Sequence, residues 1–224
     1  MQVVILAAGR GTRLRPLTLK VPKPLVLLNN KPILEHIMDE LPNDVDEVIL
    51  VVGYMGDKIR KYFGNNFGGK KIKYAIQKDQ RGTFHALKQA QKFIKNDFLI
   101  LMADDVYSKK DLTNLAKSKN AILVKRVSGP SEKFGACLTK NGRLLDIREK
   151  EMGVRFEFAS CGSYKLDMSI FSEPIICGPN GEEWLSSMVG SMAKKKKIKI
   201  IKATRWFPIA TPDDLKIIGD LIKV

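Results

Sequence analysis

The first hundred residues alternate between short β-branched apolar runs and stretches of helical period, and this alternation restricts the fold more than any other feature. Val3–Ala7, Glu47–Val52, Lys71–Gln77 and Phe98–Ala103 are rich in Val, Ile and Leu and are flanked by turn residues, the pattern of strands. Between them, Ile33–Leu41, Asp57–Phe63 and Phe84–Ile94 carry apolar residues at i, i+3, i+4 spacing. The resulting order β-α-β-α-β-α-β predicts a mainly parallel sheet joined by right-handed crossovers.

The second half is less regular. Ala121–Val127, Phe134–Thr139 and Leu144–Arg148 read as strands, with Asn141-Gly142 as a hairpin signal between the last two. Arg155–Leu166 reads as one long strand, with Gly162 at a bulge or close backbone approach. A helix over about Glu182–Ala193 precedes a strand over Ile198–Ala203. In the final helix Thr211 stands as N-cap, Pro212 at the first helical position and Asp214 in an approximate capping box. No repeat, low-complexity linker or break in composition divides the 224 residues. The expectation is one α/β domain, with residues 1–112 as one functional half and 113–224 as the other.

Composition removes several function classes. No apolar run approaches the ~18 residues of a membrane-spanning helix, and the start enters a strand directly, without a basic leader or tripartite signal. Cys137, Cys161 and Cys177 are too few and too widely spaced for a disulfide framework or a CxxC zinc site, so reduced thiols in a cytoplasmic protein are expected. The net charge is +15, with 19 basic and 12 acidic residues in the first half and 20 and 12 in the second. An excess spread so evenly argues against nucleic acid, whose ligands concentrate charge in a stripe or arm. It suits a small anionic substrate, whose local concentration a basic surround raises.

The segment after the first strand, Leu6-Ala-Ala-Gly-Arg-Gly-Thr-Arg-Leu-Arg-Pro-Leu-Thr18, points to phosphate. Gly9 and Gly11 let the backbone approach a ligand, and successive N–H groups can cradle oxygens. Arg10, Arg13 and Arg15 add forked donors, and Pro22-Lys23-Pro24 supplies a point charge on a restricted backbone. The loop is neither a dinucleotide fingerprint, since Leu14 stands where the third glycine belongs, nor a Walker A loop.

These residues, with Leu25 after Pro24, resemble the signature of the sugar-1-phosphate nucleotidyltransferases, and the similarity runs through nearly the whole chain. Gln77 followed by Gly82-Thr83 and Ala86-Leu87 is similar to the family's second nucleotide-binding segment. Leu101-Met-Ala-Asp-Asp105 resembles its metal-site strand, Phe134-Gly135 its Tyr-Gly element and Glu149-Lys150 its Glu-Lys pair. Ser160-Cys-Gly-Ser-Tyr164 resembles its Asn-x-Gly-x-Tyr, and Trp206–Leu215 its closing segment. The resemblance implies a three-layer Rossmann-like (GT-A-like) α/β fold with a mainly parallel mixed central sheet. It also implies attack of a sugar-1-phosphate oxygen on the α-phosphate of a nucleoside triphosphate, with Mg²⁺ assisting and pyrophosphate leaving.

By that resemblance Arg13, Lys23 and Asp104 are catalytic. Leu6, Ala7, Ala8, Gly9, Gly11, Thr12, Arg13, Gln77, Gly82 and Thr83 bind the nucleotide. Gly135, Glu149, Lys150, Ser160 and Gly162 line the sugar-phosphate side, and Asp104 and Asp105 hold the metal. The partners implied are the triphosphate and the sugar 1-phosphate, with no nucleic acid and no membrane; a homo-oligomer stays open. The left-handed β-helix appended in some members is not expected.

Three departures concern the second half of the site. Pro208 takes the place of the family's second metal aspartate, Ala103 that of the glycine before Asp104, and Ser160 that of the asparagine. Either Asp105 supplies the second ligand, or Asp104 and phosphates hold the metal alone, or catalysis has been lost. Two other functions therefore stand beside the main one. One is a choline-phosphate cytidylyltransferase with an aromatic box drawn from Phe156, Phe158 and Trp206; the other is a nucleotide-binding regulatory subunit. His36 and His85 are expected to be structural, and Trp206 to be core.

Overall fold

The computed structural model describes residues 1–222. In chain order it comprises β1 (Gln2–Ala7), β2 (Leu27–Leu28), β3 (Lys31–Pro32), α1 (Ile33–Asp39), β4 (Glu47–Val52), α2 (Gly56–Phe63), β5 (Asn66–Phe67), β6 (Lys70–Ile76), α3 (Thr83–Ala90) and β7 (Phe98–Met102). There follow β8 (Asp105–Tyr107), α4 (Lys109–Ala116), β9 (Ala121–Arg126), β10 (Gly135–Lys140), β11 (Arg143–Glu149), β12 (Phe158–Leu166), α5 (Leu185–Ala193), β13 (Ile198–Lys202), β14 (Trp206–Pro208) and α6 (Pro212–Leu221). Every strand and helix expected in the first half is present.

One ten-stranded sheet runs in the order β10-β11-β13-β9-β12-β7-β1-β4-β6-β5. The sheet is mixed, as expected, but only four of its nine junctions are parallel (β7–β1, β1–β4, β4–β6 and β13–β9), so the expected parallel majority holds for the first half alone. Its parallel register joins β7, β1, β4 and β6, whereas β12 lies antiparallel between β7 and β9 and welds the two halves together. Because successive strand residues face opposite ways, the core divides into two layers. Val3, Ile5 and Ala7 pack with Val48, Leu50 and Val52 against buried residues of α1, α2, α4 and α6. Val4 and Leu6, with Ile49 and Val51, pack against α3 and α5 on the other face. This is the three-layer α/β arrangement.

Local signals act as the sequence implies. Asn141 and Gly142 both adopt positive φ, 50° and 71°, in the β10–β11 hairpin, the handedness that matches strand twist. Gly162 (φ 65°) sits where the β12 register shifts between Ser160 and Tyr164, and a Cβ there would lie 2.7 Å from Met102. The Thr211/Asp214 capping box opens α6. Several features differ from expectation: α4 and the short strands β2, β3 and β5 were not foreseen, and β12 begins at Phe158 rather than Arg155. Helix α5 starts at Leu185 rather than Glu182, because Glu183 is drawn into an antiparallel bridge with Cys177. The antiparallel pair β8–β14, three residues in each strand, was not foreseen; its strands lie about a hundred residues apart in sequence, and only their partner defines them.

His36 Nε2 lies 2.8 Å from the Leu28 carbonyl, a structural contact. Cys137 and Cys161 are buried, and burial pushes both thiols up from their ordinary value. Cys177 is exposed. In the run Lys194–Lys197, three ammonium groups meet carboxylates from other elements: Lys194 with Asp146, Lys195 with Glu173 and Lys196 with Asp167.

Candidate active site

The glycine-rich loop, Gln77 and Asp104 follow the C-terminal ends of the parallel strands β1, β6 and β7, where ligands gather in open α/β sheets. Gly11 adopts φ 61°, and a Cβ on it would come within 2.9 Å of Lys23 Cβ. Only glycine lets the loop lie flat on that side chain. Thr18 fixes the contact by donating its hydroxyl to the Gly11 carbonyl at 2.8 Å.

Lys23 is buried between its two prolines, and its ammonium donates to Asp104 Oδ2 at 2.6 Å. The pair spans 81 residues of sequence and brings two of the three expected catalytic groups into contact. Arg13 is exposed, as are Arg10 and Arg15. Among the described residues none of these three guanidinium groups has a salt-bridge partner, so their charge is free for an anionic ligand.

Asp104 and Asp105 part company. The Asp104 side chain is 40% exposed. Asp105 turns inward, where its Oδ2 accepts from Trp206 Nε1 at 2.9 Å and from the Tyr107 hydroxyl at 3.2 Å. Burial, followed by the neighbouring Asp104 charge, holds the Asp105 carboxyl above its ordinary value. Asp105 therefore serves the β8–β14 strand pair, and the structure does not bring it to the site as a second metal ligand. Pro208 is paired opposite it in the same two-stranded sheet and has no oxygen to offer beyond its carbonyl.

The described residues contain no group of three or more metal-binding side chains. One accessible carboxylate fits a magnesium ion that takes its other ligands from phosphate and water. It does not fit a cage built of protein groups alone.

Just beyond β6, Gln77 is buried, and its Nε2 donates to the Gly82 carbonyl at 3.1 Å and lies 3.1 Å from His85 Nδ1. A carbonyl only accepts, so the amide orientation is fixed and Oε1 is left to receive a donor. Gln80 Nε2 donates to the Ala8 carbonyl at 2.9 Å, which ties this segment to the first loop. Gly82, at φ 100°, is pressed against the main chain of Glu183, 2.5 Å from where a Cβ would stand. Thr83 Oγ1 accepts from Leu185 N at 2.9 Å.

On the other side, Gly135 pairs with Glu149 across β10–β11, and a Cβ on Gly135 would meet Glu149 Oε2 at 2.8 Å and Ser160 Cβ at 3.4 Å. Gly162 N donates to Ser160 Oγ at 3.1 Å, so these four expected residues converge. Lys150 follows on positive φ (54°), with its N–H donated to the Phe134 carbonyl. A surface depression of about 570 Å³ beside α3, lined by Lys88, Gln89, Gln91, Lys92 and Met168, shares none of these residues.

Sequence reasoning overlooked Glu183 and Trp184, which no motif marks. Glu183 is fully buried, and its carboxylate meets Arg81 at 2.9 Å and Lys88 at 2.6 Å. Two adjacent acidic residues ahead of an apolar helix carry no signal that the second is buried. Trp206, expected as core, packs against it only partly and lends its N–H to Asp105.

The chain matches the Nucleotidyl transferase family over residues 2–215. It is 34% identical over 221 residues to "Bifunctional protein GlmU" of Methanococcus maripaludis, covering 96% of this chain and 53% of that protein. It is 31% identical over 227 residues to "UTP--glucose-1-phosphate uridylyltransferase AglF" of Haloferax volcanii, covering 96% and 93%. The chain thus spans about half the length of the GlmU relatives and nearly all of AglF. The fold superposes on a UDP-glucose pyrophosphorylase crystallised with UDP-glucose, with a TM-score of 0.82 at 20% identity, over 98% of this chain and 97% of that one. The glycine-rich loop seated on Lys23, the Lys23–Asp104 pair and a family match from the first strand into the last helix all lead to one assignment: this chain belongs to the Nucleotidyl transferase family.

Proposed function

We propose that the chain condenses a nucleoside triphosphate with a sugar 1-phosphate, giving a nucleoside diphosphate sugar and pyrophosphate. The observation that carries this reading is the 2.6 Å contact between Lys23 Nζ and Asp104 Oδ2 beneath the glycine loop. It places a cation and a carboxylate side by side where a triphosphate tail would enter. In the reaction an oxygen of the sugar phosphate forms a bond to the α-phosphorus. The bond from that phosphorus to the bridging oxygen breaks, and pyrophosphate takes the electron pair. Chemistry of this kind needs positioning and neutralisation of charge rather than a protein nucleophile.

Lys23 would steady the attacking phosphate against the triphosphate, and Arg13 would receive the departing pyrophosphate. Leu6–Thr12, Gln77, Gly82 and Thr83 would hold the nucleotide; Gly135, Glu149, Lys150, Ser160 and Gly162 would hold the sugar phosphate. Asp104 would hold Mg²⁺, which when bound neutralises phosphate charge. Buried, unpaired Cys137 and Cys161 suit the cytoplasm, and no described helix is long and apolar enough to cross a membrane.

The test is pyrophosphate release with Mg²⁺ across four nucleoside triphosphates and several sugar 1-phosphates. Turnover of at least one pair is expected; none at all would overturn the reading. Against the choline-phosphate alternative stands Phe158, which is buried and whose ring already faces Arg126 and Lys202. Pro208 alone favours a non-catalytic nucleotide-binding subunit, which would bind nucleotide in calorimetry and release no pyrophosphate.

A further inference from the structure

Trp184 belongs to none of the motifs above, yet it stands where the two halves of the site meet. Its ring lies 5.8 Å from Lys150 Nζ, within the range of a cation–π contact. The ring is locked from three directions. Gly178 lies against it so closely that a Cβ there would fall 2.4 Å from the indole. Its Nε1 donates to Glu182 Oε2 at 3.0 Å. Its backbone caps α5, with Ser187 and Met188 donating to the Trp184 carbonyl.

The residues on either side of Trp184 clasp the nucleotide segment. Glu183 N donates to the Arg81 carbonyl at 2.8 Å, Phe84 N donates to the Glu183 carbonyl at 2.9 Å, and Leu185 N donates to Thr83 Oγ1. The buried Glu183 carboxylate adds its pairs with Arg81 and Lys88. One short stretch, 183–185, therefore touches Gly82-Thr83 on one side and presents its indole to Lys150 on the other.

Lys150 has no carboxylate partner among the described residues. A carboxylate there would hold the ammonium but cancel its charge, whereas an indole face attracts the cation through the ring quadrupole and leaves the charge unspent. A flexible lysine on strained, left-handed backbone is thereby held in place with its full charge available to an anion.

We propose that Trp184 is a positioning residue for the substrate phosphate: its indole fixes the Lys150 ammonium to receive the phosphate of a sugar 1-phosphate, and the Glu183–Leu185 backbone ties that cation to the nucleotide segment. The inference rests on the sugar-1-phosphate reading above.

The test uses the whole chain with UTP and glucose 1-phosphate, or with the fastest pair from the panel. Trp184→Leu is expected to raise the KM for the sugar 1-phosphate about tenfold, the scale of one cation–π contact, with the KM for nucleotide and kcat within about threefold. Trp184→Phe should recover most of the loss. In a double-mutant cycle, Trp184→Leu should cost little once Lys150 is already Ala. Equal rises in both KM values, or additive losses in the cycle, would reduce Trp184 to a packing residue and overturn the inference.

A second readout is independent of turnover and of whether the Leu variant folds. Glucose 1-phosphate should change the tryptophan emission of the native chain but not of Trp184→Phe or Lys150→Ala. If that pattern holds while no substrate pair turns over, the positioning role stands and the reaction assignment fails. If the emission change survives in both variants, the positioning role fails whatever the activity.

Discussion

Lys23 shows how much one side chain can be asked to do. Two prolines restrict its backbone, Gly11 covers its stem, and Asp104 balances its charge until phosphates arrive. Lys23→Ala should lower pyrophosphate release by about 10²-fold or more, the scale for removing one preorganised electrostatic group. Lys195→Ala, which removes only a pair with Glu173, should stay within about twofold of the native rate, since surface pairs contribute little. Gln77 sets a second expectation. With its amide nitrogen committed to Gly82 and His85, its oxygen should favour a base that presents a ring N–H, as uracil, thymine and guanine do. Cytosine and adenine present a lone pair there. Relative kcat/KM across the triphosphates should favour the first group by at least about tenfold; a preference for CTP would contradict the assigned amide orientation. Lys23 and Gln77 were legible because their motifs are local. The inward turn of Asp105 was not, because its partner Trp206 lies 101 residues away and burial cannot be read from two adjacent aspartates.

At the scale of elements, the clearest test lies in the short turn after β12. Asp167 caps that turn, accepting from Ser169 N at 2.9 Å, from Asn120 Nδ2 at 3.0 Å and from Lys196 Nζ at 3.0 Å. Burial opposes the charged form, but the hydrogen bonds from Ser169, Asn120 and Lys196 outweigh it, and the carboxyl lies well below its ordinary value. A depressed carboxyl stabilises the fold above the unfolded value of 3.8, and that contribution is lost as pH falls further. Urea unfolding should find Asp167→Ala less stable by about 1 kcal/mol at pH 7, with the gap to the native chain closing below pH 3.8. A gap that widened in acid would refute the sign. Elements with strong periodicity, such as β1, β4 and α3, could be read directly from the sequence. The β8–β14 strand pair and the late start of α5 could not, because three-residue strands and an isolated bridge exist only through their tertiary partners.

For the whole molecule, the placement of β12 matters most. It pairs with β7 from the first half of the chain and with β9 from the second, so neither half owns a complete sheet. Although two functional halves are expected from the sequence, unfolding should be one cooperative event, with far-ultraviolet circular dichroism and tryptophan emission giving coincident midpoints. Two separated transitions would show that the halves fold alone. The overall architecture was legible because alternating strands and helices admit few topologies. The join between halves was not, because an antiparallel strand inserted beside a parallel set leaves no mark on its own periodicity.

The lysine tract at the end of α5 has a consequence of its own. Three of its four positive ends are already engaged by acids brought in from the hairpin strand β11, the turn after β12 and the loop beyond that turn. A run of four like charges in the sequence is in three dimensions largely charge-matched, and heparin should find far less to grip there than the run of letters suggests.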